Sequence, residues 1–197
     1  MDDQPKTIKI FAITIVGGTP VGKTSIINVF FGNKFDDIYP ATIGTEKYEK
    51  EVQIETGENV KLKIYDTSGR ERSRSITENT IKFCKGAIVV FDLTDKRSFE
   101  KIIDWTEKIR VLTREVPICL FGNKSDLSNR KVTQEEIDKL CKEQNLLYFE
   151  TSAKNNTGIT EGFNKLANLI NQVFGNRINK NIILRETQNR PKKEKSC

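Results

Sequence analysis

The amino-acid sequence predicts an α/β fold: one domain with a mostly parallel six-stranded sheet, one antiparallel edge strand and helices on both faces. Three observations carry this. Apolar runs of strand length alternate with helical patterns, the order that builds parallel sheets. Two of the runs, residues 87–91 (AIVVF) and 117–121 (PICLF), are apolar almost throughout, as strands covered on both sides are. Two further runs alternate in polarity and flank Thr56-Gly57-Glu58-Asn59, the pattern of a hairpin with one buried face.

Taken in order, residues 8–16 form the first strand, which ends at Gly17-Gly18, a turn signal. Residues 23–31 read as a short helix carrying Ile26, Ile27, Phe30 and Phe31. Residues 32–45 are rich in Gly, Asp and Pro and read as an exposed loop. Val52 and Ile54, then Val60, Leu62 and Ile64, mark the hairpin. After the strand at 87–91, residues 98–113 form an amphipathic helix with Phe99, Ile102, Ile103, Trp105, Ile109 and Leu112. The strand at 117–121 precedes a helix over 133–144, opened by a capping box of Thr133 and Glu136. A short strand at 146–149 leads to a last helix over 159–174, with Phe163, Leu166, Ala167, Ile170 and Phe174 at helical spacing. Three parts follow: an N-terminal extension over 1–7, the domain over 8–175, and a flexible basic tail over 176–197.

Composition narrows the chemistry. The 197 residues suffice to bury about two-thirds of the unfolded surface without disulfide or metal staples. At 36% hydrophobic and 30% charged, the chain is neither membrane-embedded nor fully disordered. It has no run of membrane-spanning length. Met1-Asp-Asp-Gln-Pro-Lys lacks an apolar signal core, so secretion is not expected. There is no histidine, which removes Ser-His-Asp triads, Cys-His dyads and His-ligated zinc. Four scattered cysteines, Cys84, Cys119, Cys141 and Cys197, fit a reducing cytoplasm. A net charge of +6, partly in the tail, gives little reason to expect a nucleic-acid partner. A monomer is expected.

The segment Gly17-Gly18-Thr19-Pro20-Val21-Gly22-Lys23-Thr24 matches the phosphate-binding loop G-x-x-x-x-G-K-[ST] in its strand–loop–helix context. Successive backbone N–H groups at a helix N-terminus form a nest for an anion. Lys23 adds a positive charge for the β- and γ-phosphates, and the Thr24 hydroxyl is a hard oxygen ligand for Mg²⁺. Asn123-Lys124-Ser125-Asp126 follows the strand at 117–121, so it sits at a carboxyl strand end, where open α/β sheets bind ligands. A carboxylate can accept from guanine N1–H and the 2-amino group together. Adenine offers no such pair, so Asp126 selects guanine. Glu150-Thr151-Ser152-Ala153-Lys154 follows the next strand, and its backbone N–H groups can meet guanine O6.

With these segments in this order, the chain resembles the Ras-like small GTPases, and most closely their Rab branch, over residues 8–174. The resemblance rests on GGTPVGKT, Thr42-Ile43-Gly44, Asp66-Thr67-Ser68-Gly69, NKSD and ETSAK. Rab-like detail appears in Arg72, in Arg74-Ser75-Ile76-Thr77, in the AIVVFDLT strand and in the tail. It implies a GTP/GDP switch with Mg²⁺ that hydrolyses GTP and regulates vesicle traffic. The loop residues Gly17, Thr19, Pro20, Val21, Gly22, Lys23, Thr24 and Ser25 would enclose the phosphates. Thr24 and Thr42 would ligate Mg²⁺, with Asp66 holding it through water. Phe35 would pack against the guanine that Asn123, Lys124, Asp126, Ser152, Ala153 and Lys154 surround. The N–H groups of Thr42 and Gly69 would sense the γ-phosphate, and Lys23, Thr42, Gly69 and Arg70 would line the reaction. Residues 36–46 and 66–80 would be the switches, meeting an exchange factor, a GTPase-activating protein and effectors.

Three departures from the family pattern bear on mechanism. Arg70 stands where the family has the water-orienting Gln, and a guanidinium has donors but no acceptor. Pro20 lacks the N–H that reaches the bridging oxygen in relatives, which slows hydrolysis by about one to two orders of magnitude. Slow turnover is therefore expected. An internal arginine finger at Arg70 is the contrary case. A GTP-loaded scaffold that scarcely hydrolyses is the alternative function, and an ATPase is opposed by Asp126. The third departure is the effector surface: Lys47, Tyr65 and Ile81 stand where Rabs present three aromatics, and Ser73 replaces a Phe. One terminal cysteine, Cys197, with Arg190, Lys192, Lys193 and Lys195 nearby, suggests a single prenyl group and reversible attachment to the cytosolic face of membranes.

Overall fold

The structure, a computed structural model, describes residues 8–36, 42, 44–68, 74–113 and 115–188; for 74–76 and 176–188 it describes the backbone alone. Twelve elements follow in order: β1 (Lys9–Val16), α1 (Lys23–Phe30), β2 (Thr45–Gln53), β3 (Asn59–Thr67), α2 (Arg74–Phe83), β4 (Gly86–Asp92), α3 (Lys96–Glu100), α4 (Ile102–Thr113), β5 (Ile118–Asn123), α5 (Gln134–Gln144), β6 (Leu147–Glu150) and α6 (Ile159–Gln188). The six strands form one sheet in the order β2-β3-β1-β4-β5-β6. Only β2 runs antiparallel, paired with β3 across the hairpin; the other pairings are parallel. Thus β1 lies between β3 and β4, and the chain winds outward from it in both directions. A crevice opens at the carboxyl end of β1 for that reason.

The central strands β4 and β5 are apolar up to their last residues, Asp92 and Asn123, because both of their faces are covered. Ile88 and Val90 of β4 join Phe11, Ile13 and Ile15 of β1 under Ile26, Ile27 and Phe30 of α1 and Phe163, Leu166 and Ile170 of α6. Ala87, Val89 and Phe91 point the other way, against Ile81 of α2, Ile102 and Ile109 of α4, and Ile137 and Leu140 of α5. Phe30 stacks on Phe163 at 4.1 Å between centroids, which locks α1 to α6. Burial raises the thiols of Cys84 and Cys119 to about 12, so both are inert core residues.

Four local outcomes differ from the sequence pattern. The helix expected over 98–113 is two helices, because Ser98 Oγ donates to the Asp95 carbonyl at 2.7 Å and accepts from Asp92 N–H at 2.9 Å. These bonds tie the first turn to the end of β4 before α4 begins. Helix α2 escaped the reading because Thr77 and Thr80, not apolar residues, face inward beside Ile81. The backbone of α6 stays helical to Gln188, past residue 174, at which the last helix is expected to end. One glycine, Gly175, costs a helix only about 1 kcal/mol relative to Ala, and the next proline is Pro191. Finally, Ile81 is no effector-surface residue. It is fully buried, while Phe83, 50% exposed, stands edge-on to Tyr65 at 5.0 Å.

The capping box is formed as expected: Thr133 Oγ1 accepts from Glu136 N–H at 3.3 Å, and Glu136 accepts from Thr133 N–H at 3.0 Å. Thr133→Ala should therefore lower stability by about 1 kcal/mol in denaturant unfolding. No change in the midpoint would mean the cap contributes nothing.

Candidate nucleotide-binding site

The site grows from the crevice at the end of β1. Gly17 has φ 146°, and a Cβ there would stand 2.3 Å from the Val90 carbonyl oxygen. Gly22 has φ 91°, and a Cβ there would stand 2.4 Å from Asn123 Nδ2. The loop lies so close to β4 and β5 that only glycine fits at its two ends. Gly22 is also the N-cap of α1 and offers no side-chain cap, so the first-turn N–H groups have no side-chain acceptor from it. The positive end of the helix dipole sits at the same place.

Lys23 is buried and folds back over this loop. Its Nζ donates to the carbonyls of Gly17 at 3.0 Å and Gly18 at 3.1 Å. Burial draws its ammonium down to about 8, partly offset by the Asp66 carboxylate. Thr19 and Pro20 at the loop tip are exposed; Val21 is buried, and Ser25 is half-buried on α1.

Asp66, near the end of β3, comes to the same point. Its Oδ2 accepts from Thr24 Oγ1 at 2.6 Å and from Thr42 Oγ1 at 3.4 Å, and the two hydroxyls lie 2.9 Å apart. Its Oδ1 is buried with no hydrogen-bond partner. Burial raises its carboxyl, against the bonding of Thr24 and the charge of Lys23. Three hard oxygens with one carboxylate oxygen unsatisfied suit Mg²⁺, which takes few protein ligands and keeps its waters. Among the described residues no group of three Asp, Glu, Cys or His side chains gathers to hold a metal, so Asp66 with two threonine hydroxyls is the oxygen set the crevice offers.

The other end of the crevice is built on Asn123. Its Nδ2 donates to the Val21 carbonyl at 2.9 Å, and its Oδ1 accepts from Ala153 N–H at 3.3 Å. One buried amide thus joins the phosphate loop to the segment after β6. Ser125 N–H donates to the Thr151 carbonyl at 3.1 Å. Asp126 Oδ1 accepts from Ser152 Oγ at 2.5 Å, which fixes the carboxylate. Lys124 holds a left-handed φ of 67°. Lys154 is exposed, and Phe35 is half-buried against the apolar cluster around Phe30.

The structure therefore brings together Lys23, Thr24, Thr42 and Asp66 at one end, and Asn123, Asp126, Ser152 and Ala153 at the other. Gly69, Arg70, Ser73, Cys197 and the basic residues at 190–195 lie outside the described residues. The sequence pattern missed two residues in this region. Asp92, the last residue of β4, pairs with Lys124 at 2.6 Å. Arg130 bridges to Glu150 at 2.8 Å and binds the loop after NKSD to the end of β6. The available signal for Asp92 was its position: a carboxylate at a carboxyl strand end next to the strand that carries Asn123.

Comparison with known proteins identifies the family. The family model described as Ras family matches residues 12–172. The Ras-related protein Rab-13 of Mesocricetus auratus is 39% identical over 160 residues, 80% of this chain and 78% of that protein. The Ras-related protein RabC of Dictyostelium discoideum is 38% identical over 170 residues, 85% of this chain and 87% of that protein. The Ras-related protein Rab-39A of Homo sapiens is 37% identical over 160 residues, 78% of this chain and 74% of that protein. A family model that matches residues 12–172, and relatives 38–39% identical over four-fifths or more of the chain, place it in the Ras family, as a small GTPase of the Rab branch.

Proposed function

We propose that this chain is a Mg²⁺-dependent GTP/GDP switch that hydrolyses GTP slowly and acts in vesicle traffic. The observation that carries it is the pairing of two ends of one crevice: an oxygen cluster beside a buried lysine, and a fixed carboxylate tied to the same loop through Asn123. Lys23 exchanges its carbonyl partners for the β- and γ-phosphates. The loop from Gly17 to Ser25, with Thr19, Pro20, Val21 and Gly22, wraps those phosphates with backbone groups. Thr24, Thr42 and Asp66 hold Mg²⁺, which when bound neutralises phosphate charge. Phe35 packs on the base, Asp126 accepts its two donors, and Ser152, Ala153 and Lys154 meet its O6 edge.

Thr42 and Gly69 sense the γ-phosphate through their N–H groups, so residues 36–46 and 66–80 report the nucleotide state to regulators and effectors. Arg70 leaves the attacking water without an acceptor, and Pro20 withholds an N–H from the bridging oxygen. Cys197 carries a lipid, and the basic residues before it add electrostatic attraction to a cytosolic membrane face. No helix among the described residues is long and apolar enough to cross a membrane.

The test is release of a fluorescent GDP analogue with and without a chelator. Chelation should speed release about tenfold or more, and Asp66→Ala should release quickly in either condition. Release that ignores the chelator, or equal competition by ADP, would overturn the proposal.

A further inference from the structure

Asp92 serves no core-packing purpose, yet it is buried at the crevice. It ends β4, directly beside Asn123 in the β4–β5 register, and Leu93 N–H donates to the Asn123 carbonyl at 3.0 Å. Both of its oxygens are engaged. Oδ1 accepts from Thr94 N–H at 2.8 Å and from Thr94 Oγ1 at 2.7 Å. Those two bonds set the plane of the carboxylate and turn Oδ2 toward Lys124 Nζ, 2.6 Å away. The backbone at Asp92 is held in turn by Ser98: the Asp92 N–H donates to Ser98 Oγ at 2.9 Å, and that hydroxyl donates to the Asp95 carbonyl at 2.7 Å. The carboxylate is thus the rigid partner of the pair, and the lysine side chain, with 32% of its surface exposed, is the long and flexible one.

We infer that Asp92 is a positioning residue for nucleotide retention: its carboxylate holds the Lys124 side chain across the base-binding loop before nucleotide arrives. The inference rests on the proposed role of the 123–126 loop at the guanine. A lysine stem loses much rotamer freedom when it is ordered. Ordering it in the free protein removes that loss from binding, so affinity appears as a longer residence time. The left-handed backbone at Lys124 sets the direction of the stem, and the Asp92 carboxylate sets where its end rests.

Asp92→Asn is the informative change. The amide oxygen can still accept from Thr94, while an NH₂ group instead of a carboxylate oxygen faces the lysine ammonium. The full chain, loaded with a fluorescent GDP analogue and Mg²⁺, is chased with excess GDP. Asp92→Asn should release about tenfold faster than wild type. Lys124→Ala should also release faster, and the double variant should match Lys124→Ala alone. A purely structural role would instead accelerate release again in the Lys124→Ala background, and this outcome would overturn the inference. So would wild-type release from Asp92→Asn when Lys124→Ala is fast. If Lys124→Ala itself releases at the wild-type rate, the reading of the loop at the guanine fails and the inference falls with it. Should Asp92→Asn fail to fold, Thr94→Val keeps the carboxylate and the backbone N–H bond to it, and removes one of the two bonds that set its plane. A smaller acceleration, again absent in the Lys124→Ala background, is then expected, and an unchanged rate counts against the proposal.

Discussion

Asp126→Ala is expected to abolish the preference for guanine over adenine nucleotides, weakening GDP binding by about 10²- to 10⁴-fold while leaving ADP binding nearly unchanged. The magnitude follows from two hydrogen bonds to a charged acceptor, each about 1.5–3 kcal/mol, lost together. The effect on ADP is small because adenine has no pair of donors for that carboxylate. The geometry makes the loss specific. Ser152 Oγ donates to Asp126 Oδ1 at 2.5 Å, so the carboxylate is already oriented. Asn155 N–H donates to Ser152 Oγ at 3.0 Å, so the serine keeps a partner when the aspartate is removed. Local collapse is therefore not expected, and Asn123 still joins Val21 to Ala153. Competition of GDP and ADP against a fluorescent guanine nucleotide measures the ratio directly. A ratio that survives the substitution would move base selection to other residues and reopen the ATPase reading.

How much of this was legible in the sequence depends on what each residue faces. β4 and β5 could be read because Ile88 and Val90 go to one core and Ala87, Val89 and Phe91 to the other, leaving no polar position. The phosphate loop could be read because its glycines are forced: a Cβ at Gly17 or Gly22 meets Val90 or Asn123 at contact-violating distance. Helix α2 could not be read, because threonines occupy its inward positions at Thr77 and Thr80. Hydropathy sees only the hydroxyl, not the burial. Ile81 is a different case: the match to the family's aromatic positions puts it on the effector surface, yet it belongs to the core, while Phe83 beside Tyr65 carries the exposed apolar surface. Asp92 lies in the family-like AIVVFDLT strand but has no motif of its own. Its meaning comes from a neighbouring strand, through the pairing of β4 with β5, and no linear spacing encodes that.

Arg70→Gln is expected to speed single-turnover hydrolysis of bound GTP by about ten- to a hundredfold. A glutamine side chain both donates and accepts, so it can take a hydrogen bond from the attacking water while donating to phosphate oxygen; arginine can only donate. One oriented hydrogen bond that strengthens in the transition state is worth rates of this size. Ser68 N–H donates to the Gly44 carbonyl at 3.0 Å, joining the end of β3 to the segment that carries Thr42. Asp66 on that strand already contacts Thr24 and Thr42. Arg70 follows Ser68 by two positions in the sequence. Pro20→Gly should add its own acceleration by restoring an N–H, and the two gains should multiply if each acts on a different oxygen of the reaction. Nucleotide affinity should change little in Arg70→Gln, since the role proposed for residue 70 is at the attacking water. A variant that turns over more slowly than wild type would reverse the assignment: Arg70 would then be stabilising γ-phosphate charge from within the chain, as an arginine finger does in trans. The direction of that one rate change decides between a switch held in its GTP state by a missing acceptor and one that carries its own activating group.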